Sequence, residues 1–118
     1  MKKLCLVIIV FSFIIPNLDW RIYLDMFPDI EQLAQCESGI SAKAYNPNDT
    51  DGRPKYGLLQ YGKWEFWLWS KQSGLGKLDI WNPLHQIVLY RWAEENGLSG
   101  RWGCWHKLVK SGVIINEL

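Results

Sequence analysis

Apolar and polar positions change rhythm several times along this chain, and each change marks an element. The opening is uninterrupted: Met1-Lys2-Lys3 leads into Leu4–Ile15, apolar except for Ser12, and Pro16 closes the run. A short positive start followed by an apolar stretch is the layout of an export signal, here residues 1–17. At about 1.5 Å per helical residue the run falls well short of a bilayer core of roughly 30 Å. No Ala-x-Ala-like pair follows it, so an uncleaved amino-terminal anchor stays open beside a cleaved signal. Residues 18–29 form a mixed lead-in holding Trp20, Ile22, Tyr23 and Leu24.

Helical spacing begins at Pro28-Asp29, with Asp29 as the expected cap and Gln32 three residues on, where a capping box takes Glu or Gln. Ile30, Leu33 and Ala34 fall at i, i+3 and i+4, and the next place on that face is Glu37, before Gly39 stops the helix. A carboxylate on the side that spacing assigns to the interior needs a partner or a purpose. Alternatively the last turn frays and Glu37 points to water; periodicity leaves the two readings even.

From Ile40 to Pro54 the rhythm disappears. Asn46-Pro47-Asn48-Asp49-Thr50-Asp51-Gly52 is dense in turn formers and predicts a loop or a short hairpin. An EF-hand register counted from Gly52 would put Pro47 first and Leu58 twelfth, which excludes calcium ligation of that kind. Tyr56–Tyr61 reads as extended. Lys63–Ser73 reads as a helix with Trp64, Trp67 and Leu68 on one face and Gly74 as its stop. Asn82-Pro83 starts the clearest helix, striped by Leu84, Ile87, Val88 and Trp92 and closed by Gly97. A last helix spans about Trp102 to Lys110. The expected fold is mainly α with a small β or loop element (α+β), in one domain over residues 30–112 with a tail at 113–118.

Composition narrows the function. The chain has 118 residues, enough for one compact domain. Its 13 basic and 12 acidic side chains lack the basic footprint of a nucleic-acid binder. Cys5 lies in the signal, which leaves Cys36 and Cys104 as an even pair in an oxidising compartment, or else as two buried free thiols. There is no C-x-x-C, and His85 and His106 lie far apart in sequence, so no metal site and no cofactor is expected. Eight tryptophans are many for this length. Aromatic faces stack on sugar rings, yet Trp92, Trp102 and Trp105 lie on helical stripes and suit the core. Trp64, Trp67 and Trp81 are the better candidates for a cleft.

Ala34-Gln35-Cys36-Glu37-Ser38-Gly39, followed about twenty residues later by Tyr56-Gly57-Leu58-Leu59-Gln60, resembles the transglycosylase-like (lysozyme-like) domain. That group includes soluble lytic transglycosylases, goose-type lysozymes and the resuscitation-promoting factors. The likeness to the last branch includes Cys-Glu-Ser-Gly and a second cysteine beside tryptophan, as in Trp102-Gly103-Cys104-Trp105. It spans roughly Ile30 to Trp105. Ile40 departs from the pattern, and the Ala-Tyr-Asn-Ala-Gly motif of soluble lytic transglycosylases is absent, with Tyr90-Arg91 in the nearest helix.

The resemblance implies a compact lysozyme-like domain acting on peptidoglycan glycan strands, at the MurNAc–GlcNAc β-1,4 bond, outside the cytoplasm. Glu37 would be the catalytic acid, and Gln60 and Tyr56 would line the cleft with the tryptophans. A lytic transglycosylase needs a single acid/base residue, because the muramic C6 hydroxyl attacks the sugar cation. A hydrolytic lysozyme needs a second carboxylate, for which Asp49 and Asp51 are available unless they merely form turns. The single-glutamate route is preferred. The alternative from another class is a non-catalytic peptidoglycan-binding module. A membrane tether through the amino-terminal apolar segment also stays open.

Overall fold

The computed structural model describes residues 19–114. The expected export signal or anchor at 1–17 and most of the expected tail lie outside the described residues. Five helices and one two-stranded hairpin make up the described chain: α1 (Trp20–Met26), α2 (Pro28–Ser38), β1 (Tyr45–Asn46), β2 (Lys55–Tyr56), α3 (Lys63–Ser73), α4 (Pro83–Glu95) and α5 (Gly103–Lys110), with a 3₁₀ turn at Ser99–Arg101 before α5. The architecture is mainly α with a small β element, as the pattern predicts. None of the described helices is long and apolar enough to cross a membrane.

Two helices form where the pattern puts them, for the expected reasons. Asn82 Oδ1 accepts the Leu84 and His85 N–H groups at 2.9 and 3.2 Å, and Pro83 fills the first helical position of α4. Gly39 caps α2 in the left-handed region at φ 66°, as a helix stop requires.

Two expectations are corrected, and the lead-in gains an element. Asp29 does not cap α2; Phe27 occupies the cap and makes no side-chain bond. Asp29 instead grips the buried Arg91 guanidinium with both oxygens, at 2.7 and 3.0 Å, and ties α2 to α4. The mixed lead-in forms helix α1 and packs on the domain, with Tyr23 and Leu24 buried in the common core. In α3 the buried face is Phe66, Trp69 and Ser70, which turns Trp64 and Trp67 outward. Helical spacing is satisfied by either tryptophan set, and the core selected the one that packs on Tyr61 and Trp102.

Tyr56–Tyr61 is not an extended run but a chain reversal. Tyr56 and Tyr61 exchange backbone hydrogen bonds at 2.9 and 3.0 Å, and the four residues between them form the turn. Gly57 and Gln60 both carry positive φ, 80° and 57°. A reversal packed inside the protein leaves buried peptide groups without ladder partners. The fully buried Gln86 of α4 supplies them. Its Oε1 accepts Leu59 N–H at 2.7 Å, while its Nε2 donates to the Tyr56 and Ile80 carbonyls at 2.9 and 2.5 Å. Trp102, also fully buried, adds a bond from its indole N–H to the Leu59 carbonyl at 2.8 Å. Gly57 is required twice, since a Cβ there would collide with the Gln86 amide nitrogen.

Gln86→Leu would keep most of the volume, strand the Leu59 N–H and the Ile80 carbonyl, and leave the Tyr56 carbonyl with its Tyr61 bond alone; an unsatisfied buried group costs about 1–3 kcal/mol. Unfolding in urea should show a loss of about 2 kcal/mol or more for Gln86→Leu, with Gly57→Ala similarly damaging. A loss below about 1 kcal/mol would show that the amide does not hold the turn.

Candidate active site

Helix α2 delivers Glu37 to its own carboxyl-terminal turn, on the face begun by Ile30, Leu33 and Ala34. The side chain is half-buried, so the i+7 position carries it inward rather than to bulk water. It opens into a cleft of about 660 Å³. The cleft is lined by the hairpin from Asp49 to Tyr56, by Gly62 to Glu65 and Trp69 around α3, and by Glu37, Arg101 and Gly103.

Burial is the main influence on the Glu37 carboxyl and raises its pKa, because a desolvated anion is disfavoured. The nearby Asp49 charge pushes the same way. Arg101, the Cys104 backbone N–H and Lys107 oppose the rise without cancelling it. The Cys36–Cys104 disulfide, with Cα atoms 6.0 Å apart, places α5 against the end of α2 and brings that N–H to the carboxylate.

The other cleft carboxylates are paired with cations. Lys55, almost wholly buried, sits 2.6 Å from Asp51 and 3.6 Å from Asp49. Asp51 also accepts the Arg53 N–H at 2.9 Å, and the Lys55 bond is the chief reason its pKa is lowered. Glu65 pairs with Arg101 through a 2.5 Å bond from Nε and a second contact from the guanidinium. Arg101 is itself fixed by the Gln60 carbonyl at 3.0 Å and by the Trp102 ring, 4.7 Å from its guanidinium carbon.

The sequence-predicted residues divide. Glu37, Asp49, Asp51, Tyr56 and Trp64 line one cleft, with Trp64 66% exposed. Gln60 is not among the lining residues: it is buried behind them, with Nε2 directed at the Gly57 and Ala44 carbonyls at 2.9 and 3.3 Å. Trp67 faces a different groove on α3. Trp81 stands beside the cleft, edge-on to Tyr56 at 5.5 Å, and is not among its lining residues. Glu65, Arg101, Lys55 and Trp69 line the cleft although their spacing gave no sign of it. The cysteine pair held one usable signal: a bond from Cys36 to Cys104 forces Arg101 and Gly103 close to Glu37. No family model, curated protein or solved structure matches the chain.

Glu65 screens the positive charge that Arg101 presents to Glu37. Glu65→Gln should therefore lower the Glu37 pKa, and Arg101→Met should raise it. Carbon-detected NMR titration of the Glu37 carboxyl reads both directions directly, with no need for turnover. Shifts of the same sign in the two variants would contradict this arrangement.

Proposed function

We propose that the protein is a peptidoglycan-cleaving glycosidase in which Glu37 protonates the glycosidic oxygen, with a single-glutamate lytic transglycosylase as the preferred chemistry. The observation that carries this reading is a lone carboxyl with raised pKa in a cleft whose other carboxylates are all engaged by cations. A general acid must hold its proton near the working pH, and burial favours the protonated form of Glu37. Asp51 is a poor base, since its lowered pKa leaves it little affinity for a proton. The resemblance through Cys36-Glu37-Ser38-Gly39 supplies the substrate, and the exposed Trp64 offers an aromatic face for a sugar beside the acid, while the buried Tyr56 forms part of the cleft wall.

In this reading the proton passes from Glu37 to the leaving oxygen as the C1–O bond breaks. The resulting carboxylate then takes the proton of the muramic C6 hydroxyl as that oxygen closes on C1. The acid is restored and the product carries a 1,6-anhydro ring. A disulfide-bonded domain behind an export signal fits work outside the cytoplasm. The hydrolytic reading is favoured by one specific feature: Asp49 lies close enough to Glu37 for their charges to interact, and Lys55 holds it at 3.6 Å rather than in a close bond. Asp49 would then activate water or attack the sugar.

Glu37→Gln should fold and bind glycan while turnover falls by about 10² or more. Because the folded-state pKa of Glu37 is raised, ionising it costs stability as pH climbs from the unfolded-state value through the folded-state value. Glu37→Gln should therefore gain stability relative to the parent over that interval, and the two should differ least in acid. Asp49→Asn decides the product: substantial activity with an anhydro end supports transglycosylation, and near-complete loss supports hydrolysis. A fully active Glu37→Gln protein would leave neither mechanism standing, and a parent protein that binds wall glycan without cleaving it would belong with the binding modules.

A further inference from the structure

Helix α3 separates two concavities. Beyond its cleft side lies a groove of about 1020 Å³ between α3 and the segment Gly74–Ile80, large enough for a short peptide rather than a single ion. Phe66, Leu78 and Ile80 give it apolar lining, and they are buried or half-buried. Trp67, 52% exposed, lines it beneath the Lys71 ammonium, which sits 4.3 Å from the ring centroid. Lys63 and Lys77 complete a trio of exposed lysines, none of which has an ion-pair partner among the described residues. Asp79 is the only acid in the lining, and its Oδ1 is taken by the Trp81 N–H at 2.9 Å. The groove thus sets three lysines against one carboxylate, an excess of positive charge beside an exposed aromatic ring, with the Lys63 ammonium lying over the Tyr56 ring at 5.2 Å on the cleft side.

Lys63 lines both this groove and the Glu37 cleft, so the two are contiguous around the first turn of α3. Lys63, Trp67 and Lys71 follow one another at i, i+4 and i+8, a stripe about 12 Å long at 1.5 Å per residue. An extended peptide covers that length in about four residues. We propose that this groove binds a short acidic peptide carrying several carboxylates, and that its occupant is the stem peptide of the glycan strand held in the neighbouring cleft; the identity of the occupant rests on the function proposed above. Wall glycan bears such peptides on the lactyl group of muramic acid, so a strand seated in the cleft must direct its peptides out along a side. The lysines would pair with peptide carboxylates while Trp67 covers an aliphatic portion. A lipid surface fits less well, since the apolar side chains are recessed in a concavity and only Trp67 projects.

The full chain can be titrated by NMR with an N-acetylated alanyl-γ-glutamyl-diaminopimelate peptide, with its carboxylate-amidated form and phosphatidylglycerol vesicles as comparisons. The free-acid peptide should shift the Trp67 indole resonance. Lys71→Glu and Lys77→Glu should each weaken it about threefold, and the double variant about tenfold or more. Equal binding of the amidated peptide, indifference to both charge reversals, or a response to vesicles alone would overturn the proposal. In turnover assays the double variant should retain cleavage of strands stripped of peptide and lose cleavage of peptide-bearing strands; equal effects on both would also overturn it. If the parent protein cleaves neither strand, the glycosidase reading fails, while the peptide titration still decides what the groove binds.

Discussion

The side-chain amide of Gln86 is the contact on which the rest of this small protein depends. It sits at zero exposure and reaches three separate backbone positions, two in the 56–61 reversal and one at Ile80. Without it the reversal would bury peptide groups that neither helix nor sheet can satisfy. The consequences spread outward. The reversal positions Tyr56 as a wall of the cleft and presents the Gln60 carbonyl to Arg101. It also turns the Leu59 carbonyl toward the indole of Trp102, around which Tyr61, Trp69 and Tyr90 pack. One amide therefore links the aromatic core to the electrostatics of the cleft.

The cleft follows a single electrostatic rule with one exception. Each of its aspartates, and Glu65, has a cation within ion-pair distance, and two of the cations involved, Lys55 and Arg101, are mostly buried. At Asp51 the Lys55 bond lowers the pKa and favours the charged form. Glu37 is the exception: Arg101 influences it electrostatically, but its guanidinium is bonded to Glu65 and the Gln60 carbonyl. The carboxyl that burial can keep protonated is the one whose nearest cation is already occupied.

Much of the fold was legible because it rests on local signals. Asn82-Pro83, Gly39 and Gly74 punctuate helices for steric and capping reasons that need no tertiary context. Glu37 was legible because a charged residue interrupted an apolar face. The 56–61 reversal was not, since Gly-Leu-Leu-Gln resembles a strand unless the buried amide that stabilises its positive φ is known. Nor was the role of Asp29, whose capping potential is local while its partner Arg91 lies 62 residues away. The tryptophans of α3 mark the same boundary. Two interleaved sets satisfy helical spacing, and only the finished core decides which set becomes surface. Gln60 inverted the expectation because its amide bonds to backbone carbonyls instead of facing the cleft.

The position of Glu37 between two helix ends gives the electrostatics a direction. The side chain leaves the last turn of α2, where the helix dipole presents partial negative charge and opposes ionisation. It meets the first turn of α5, where the Cys104 N–H and the positive end of that dipole favour the anion. A general acid must bind its proton firmly enough to arrive protonated and must tolerate the charge left behind when the proton departs. In the role proposed for Glu37, burial and the α2 terminus would serve the first requirement, and the α5 terminus the second. Neither helix could do this alone, and their ends are joined by a covalent bond between Cys36, the residue before Glu37, and Cys104, the residue whose N–H it accepts. In that arrangement the disulfide aligns two opposed dipoles on one carboxyl as well as staples a small domain.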